Sequence, residues 1–262
     1  MPKFAANLTY LFQELPLMKR FEAAKNHGFR AVECQFPYGY NYQLIRKILK
    51  KKDLRMVLIN APAGNWEKGD RGLAVIPGKE VEFQRTVQVA AKVAQKLAAS
   101  HIHVMVGRLP RKVNRKDGLK TLITNLEKAA DIFNNHKQNL LLEPLNPNDF
   151  PEYFLTELSD SLEIIDTINK PNVFLQLDIY HCLMRGDDPF KIIRENLNVI
   201  SHMQIADCPG RHEPGSGNGK IDFLELFTLI DSLNYKGWIG CEYIPKKTTK
   251  GSFNWANAYG II

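Results

Sequence analysis

VFLQLDIYHCLMRGDDPFKIIRENLNVISHMQIAD, from Val173 to Asp207, carries a strand, a helix and a second strand without interruption. Val173 to Tyr180 and Ile200 to Asp207 are short apolar runs bounded by turn-forming residues, the signature of buried strands. Between them DDPFKIIRENL follows Gly186 and places Phe190, Ile193 and Leu197 on one side at helical spacing. Toward the end of each strand sits an oxygen-bearing residue, Asp178 in the first and Gln204 in the second. The stretch predicts strand then helix as the repeating unit.

The same unit recurs in both directions. LLLEP (Leu140 to Pro144) and WIGCEY (Trp238 to Tyr243) are strands of the same kind, carrying Glu143 and Glu242. LTELSDSLEIIDTI opens on capping residues and repeats Leu158, Leu162 and Ile165 at helical spacing. The N-terminal half pairs FAANL with LPLMKRFEAAKNH and AVECQ with NYQLIRKILKK. It then pairs RMVLIN, through a long loop, with EVEFQRTVQVAAKVAQKL, and HIHVMVG with LKTLITNLEKAADIFNNH. With a last helix from Gly251 to Ala258, the count is eight units. Such barrels take about 250 residues, so the 262 residues predict a single (β/α)8 TIM barrel forming one domain, 1–262. An open doubly wound sheet would need a glycine-rich phosphate turn after the first strand, where Asn7, Leu8, Thr9 and Tyr10 stand instead.

Four polar residues at corresponding strand ends ask for an explanation, because an ionised carboxylate taken out of water costs several kcal/mol unless it is compensated. Three carboxylates and an amide (Glu143, Asp178, Glu242 and Gln204) suggest one shared divalent cation with hard oxygen ligands. Alternation along the strands turns Leu142, Leu177, Met203, Ile205, Ile239 and Cys241 to the opposite face, where covering helices need apolar contacts. In a barrel of this kind the carboxyl ends of the strands form the catalytic rim.

Composition narrows the field. With 44% hydrophobic and 24% charged residues the chain buries an ordinary core and is not disordered. The opening MPKFAANLTYLF is too short and polar for a membrane span or a cleavable signal, so no membrane partner and a cytoplasmic location are expected. Cys34, Cys182, Cys208 and Cys241 form no CxxC pair, which fits reduced thiols used for packing. The formal charge of +7 raises the question of nucleic acid, but the cations are scattered over three separate clusters. A small anionic substrate is the more economical partner; no nucleic acid is expected, and homo-oligomer formation is left open.

The segments FAANLTYLF, GFRAVECQFPY, NAPAGNWEKGDRGLAVIPGKE, LLLEPLN, LQLDIYH, HMQIAD followed by EPGSG, and GWIGCEYIP run nearly end to end. Through them the chain resembles the hydroxypyruvate isomerase family of the xylose isomerase-like barrels. That resemblance implies Glu143, Asp178, Gln204 and Glu242 as metal ligands, with Glu143 and Glu242 also moving protons. It implies a metal-assisted conversion of hydroxypyruvate to tartronate semialdehyde, with a related sugar-acid isomerase or epimerase, such as one acting on 2-oxo-tetronate, as the rival. In related epimerases and endonucleases the third ligand resembles the second His of an H-x-H run. Here the run is His202-Met203-Gln204, and the all-oxygen set favours Mg2+ or Mn2+.

Other polar residues fall around the same rim. His181, expected in a loop leaving the sixth strand, matches a family D-x-x-H pattern that implies a substrate contact. Arg211 resembles the family arginine that pairs with the substrate's anionic end. Arg71 and Trp66 lie in a long loop, 61–80, that reads either as a lid over the substrate or as a barrel cap or subunit contact. Asn7 and Asn60 share the ligands' orientation and serve either substrate or loop. Glu33, His103 and His202 also point inward; an internal hydrogen bond is the ordinary reading for His202, while Glu33 reads either as a bridge to Lys or Arg or as a support behind the metal ligands, and none of the three is assigned to the site.

Overall fold

Among the described residues, 1–217 and 220–262 of the computed structural model, eight strands alternate with helices. The strands are β1 (Phe4–Asn7), β2 (Ala31–Glu33), β3 (Arg55–Asn60), β4 (His101–His103), β5 (Asn139–Leu142), β6 (Val173–Asp178), β7 (Ile200–Ile205) and β8 (Ile239–Cys241). Each neighbours the next in chain order and the series closes on itself, the (β/α)8 barrel topology. The helices are α1 (Leu17–Asn26), α2 (Tyr42–Lys52), α3 (Glu80–Leu97), α4 (Arg115–Asn134), α5 (Leu158–Ile168), α6 (Ile179–Arg185), α7 (Pro189–Asn196) and α8 (Phe223–Ser232). Contacts group the chain into two compact units, Met1–Val57 with Leu177–Ile262, and Leu58–Gln176.

In the first unit β1 pairs with β2 and β8, and β7 with β8, all parallel. The register sets Asn7 beside Glu33 and Gln204 beside Gly240, which levels the polar groups of neighbouring strands. Met203, Ile205, Ile239 and Cys241, on the other face, are fully buried, as alternation requires. Helix starts follow from local chemistry: Asp188 accepts from the amides of Phe190 and Lys191 with Pro189 in the first turn, and Asp222 caps α8 in the same way. In α2, Asn41 caps the start, Ile45 and Leu49 are buried, and Lys50, Lys51 and Lys52 occupy the last turn, where cations complement the helix dipole.

Two expectations are corrected here. The segment expected as a helix from Gly251 to Ala258 is instead two 3-10 turns, Lys250–Ser252 and Asn254–Tyr259. Aromatic packing decides this: Trp255 and Tyr259 both pack edge-on against Phe4 at 5.1 Å, while Phe253 meets Phe12 and Phe29. His181 lies in α6 rather than in a loop, because Asp178 ends β6 and at once caps a helix by accepting from the amide of Tyr180 at 2.9 Å. Gly186 stops that helix at φ 86°, after seven residues, too few for periodicity to reveal.

In the second unit β3 pairs with β4, β4 with β5 and β5 with β6. Helix α3 buries Phe83, Val87, Ala90, Ala91, Ala94 and Leu97, a continuous apolar stripe at i, i+3, i+4 spacing. The 61–80 loop is organised by its own bonds: Asn65 accepts from Lys68 and Asp70 from Asn65. Gly72, at φ 121°, crosses so close to Met105 that a Cβ would lie 2.1 Å from its carbonyl oxygen.

Candidate active site

In the first unit Arg211 gathers two of the expected ligands. Its Nη2 donates to Asp178 Oδ2 at 3.1 Å and to Glu242 Oε1 at 2.6 Å. The guanidinium also lies 4.7 Å from the ring centre of Tyr180 and 5.3 Å from that of Tyr10. Arg211 itself is held at φ 53°, in the loop following β7. Asp178 divides its oxygens: Oδ1 caps α6 and Oδ2 meets Arg211.

Glu242 is met from behind by amides. Asn7 Nδ2 donates to its Oε2 at 2.8 Å and Gln204 Nε2 at 2.6 Å. Both amides also donate to Glu33 Oε2, at 3.0 and 2.9 Å. Glu33 Oε1 in turn contacts His202 Nε2. Glu33 was expected to bridge to Lys or Arg if it played a structural part; its partners are an imidazole and two amides instead, which the inward-facing positions of β1 and β7 provide.

Charge in this pocket is out of balance. Glu33, Asp178 and Glu242 are all buried, and Arg211 is the guanidinium paired with the last two. Burial raises the Asp178 carboxyl above its usual range, with Arg211 opposing, and pushes Glu242 up to about 8 despite Arg211, helped by the negative charge of Asp178 and Glu33. Such a deficit of positive charge is what a bound divalent cation relieves, and the carboxylate and amide oxygens are hard donors suited to one.

In the second unit Glu143 follows β5 and is also buried. Gln176 Nε2 donates to its Oε2 at 2.9 Å, and His103 Nδ1 lies 3.4 Å from the same oxygen. Gln176 went unread in the sequence, although it sits two residues before Asp178 on the same inward parity. Arg71 stacks on Trp66 with the guanidinium 3.7 Å from the ring centre, and its Nη1 donates to the Trp66 and Asp70 carbonyls. Asn60 ends β3, buried. In the first unit His181, buried, brings its Nε2 to 3.6 Å from Asp178 Oδ2. His181 thereby joins the candidate ligands beside Asp178, a part the sequence reading did not assign it.

All four cysteines are buried and unbridged. Burial pushes the Cys34 thiol up to about 12 and Cys241 well above its ordinary value, so they are inert packing groups.

A model of the xylose isomerase-like TIM barrel family matches residues 21–259. The chain belongs to that family. The 2-oxo-tetronate isomerase of Haemophilus influenzae is 38% identical over 260 residues, covering 99% of this chain and 100% of its own length. The hydroxypyruvate isomerase of Escherichia coli is 38% identical over 259 residues, with 99% and 100% coverage. Among solved structures, one described as an AP endonuclease, family 2, from Brucella melitensis superposes with a TM-score of 0.95 at 38% identity over 99% of both chains. With full-length relatives named as isomerases, the chain is an isomerase of this family. No helix among the described residues of this isomerase is long and apolar enough to cross a membrane.

Proposed function

We propose that this isomerase interconverts hydroxypyruvate and tartronate semialdehyde, moving a proton between neighbouring carbons through an enediolate. The observation that carries the reading is the set of buried carboxylates, two of them paired with Arg211 and Glu242 nevertheless pushed up to about 8 by burial and its acidic neighbours. Asp178, Gln204, Glu242 and Glu143 would hold Mg2+ or Mn2+, with His181 beside them, and such a cation supplies Lewis-acid stabilisation of the negative oxygens of the enediolate. Glu143 and Glu242 take and return the proton; positioned bases of this kind contribute roughly 10²–10⁴-fold in rate. A Glu242 carboxyl raised toward neutrality is matched to accepting and giving a proton near pH 7.

Arg211 pairs with the substrate carboxylate, a recognition its planar fork suits. Asn60 hydrogen-bonds a substrate oxygen, Asn7 gives both amide hydrogens to Glu33 and Glu242 and so serves the site by holding those acids, and Arg71, stacked on Trp66, closes the 61–80 loop over the substrate and keeps water out. We assign the chain one catalytic domain. A four-carbon substrate is the second reading, favoured by relatives at 38% and 39% identity that are named 2-oxo-tetronate isomerases. Proton-exchange NMR with hydroxypyruvate, with and without Mg2+ or Mn2+, tests the choice. Metal-dependent exchange at C3 together with aldehyde formation is expected. Turnover of the four-carbon acid with neither event on hydroxypyruvate would transfer the assignment to the second reading.

A further inference from the structure

Behind Glu242 two acids and two amides close a ring of four hydrogen bonds. Asn7 Nδ2 and Gln204 Nε2 each donate to both Glu33 Oε2 and Glu242 Oε2, at 2.6 to 3.0 Å. A primary amide nitrogen has two hydrogens, so both are spent on these carboxylates. Glu33 is completely buried, and its Oε1 faces His202 Nε2. A carboxylate only accepts, so every group against it must be a donor. The Gln204 nitrogen is therefore held on the side of its amide that faces Glu33 and Glu242, and its carbonyl oxygen cannot take that place against Glu33. The backbone is built around this carboxylate: a Cβ on Gly240 would lie 2.0 Å from Glu33 Oε1.

We propose that Glu33 is a positioning residue that orients the Gln204 amide, directing its oxygen rather than its N–H groups to the cation site. It touches neither cation nor substrate. The inference rests on the metal reading given above. Replacing Glu33 by glutamine supplies a group that donates as well as accepts, so the Gln204 amide can turn over and present N–H to the cation.

The test is Mn2+ affinity measured by electron paramagnetic resonance in a two-by-two set of variants. Glu33→Gln is expected to weaken Mn2+ binding by roughly 10- to 100-fold, the range for lost orienting partners of metal ligands. In a Gln204→Glu background, where residue 204 has no amide to orient, the same change should cost less than about twofold or should strengthen binding, since the two sites no longer couple through an amide. An equal loss in both backgrounds, or no loss in the first, overturns the proposal. Should Glu33→Gln fail to fold, the side-chain NH2 of Gln204 in the unaltered protein decides by 15N NMR. Slow solvent exchange of both protons, with and without Mg2+, is expected, and rapid exchange of either refutes the orientation. If the unaltered protein binds no Mn2+, the metal reading fails by itself, and the same NMR measurement still decides whether Glu33 holds the amide.

Discussion

Raising the pH of the metal-free protein from 5 to 8 is expected to destabilise it, with Glu242 carrying the effect. Burial pushes its carboxyl from the ordinary 4.5 up to about 8, Arg211 opposes this, and Asp178 and Glu33 add to the rise. The folded chain thus holds this proton more tightly than the unfolded one. The stabilisation is fully present below about pH 4.5 and is lost as the pH climbs through about 8. One proton of difference is worth ~1.4 kcal/mol per pH unit, so the loss across that window is on the order of 4 kcal/mol. Asp178, raised by burial as well, acts in the same direction. For a chain of this size a few kcal/mol moves Tm by roughly 10 °C. The assay is thermal unfolding in chelator at pH 5, 6.5 and 8, wild type against Glu242→Gln, which cannot ionise. The gap in Tm should shift against the wild type as pH rises, and saturating Mn2+ should flatten the wild-type curve by holding the carboxylate ionised. A gap that stays constant from pH 5 to 8 would refute the claim that buried charge at Glu242 burdens the fold.

Glu143→Gln should fold with an unchanged circular dichroism spectrum yet lose roughly 10²-fold or more in kcat; near-normal turnover would remove it from proton transfer. Arg211→Met leaves Asp178 and Glu242 without their guanidinium, so the acid limb of the pH–rate profile should move to higher pH while KM for an anionic substrate rises; a profile that stays in place contradicts the pairing. Gly72→Ala places a side chain at φ 121° and 2.1 Å from the Met105 carbonyl oxygen, and a loss of ~2–3 kcal/mol in urea unfolding is expected. Chelator treatment should abolish isomerisation, with recovery on adding Mg2+ or Mn2+; activity that survives exhaustive chelation would remove the cation from the reaction.

The strand–helix alternation, the apolar outer parity of Met203, Ile205 and Cys241, and the burial of Glu143, Asp178, Gln204 and Glu242 were all legible in the sequence. Each follows from period and polarity within a few neighbouring residues, the range over which a sequence speaks directly. What escaped was short or long-range. Helix α6 spans seven residues, and it starts because Asp178 serves strand end and helix cap together. The last segment became two 3-10 turns because aromatic rings distant in sequence, Phe4 among them, dictated its path.

The site divides along the same line. Inward parity named Gln204 as a ligand and turned Glu33 and His202 the same way, but the Lys or Arg bridge expected for Glu33 gave way to an imidazole and two amides. Those partners depend on register: Asn7 beside Glu33 and Gln204 beside Gly240 bring donors from β1 and β7 onto acids from β2 and just beyond β8. Hydrogen bonding acts over about 3 Å, whereas Asn7 and Glu242 are 235 residues apart in the chain. The sequence by itself determined which chemical groups are buried and on which face of their strands. Only the tertiary structure decided which of them touch, because contact at that range depends on how separate strands are brought side by side.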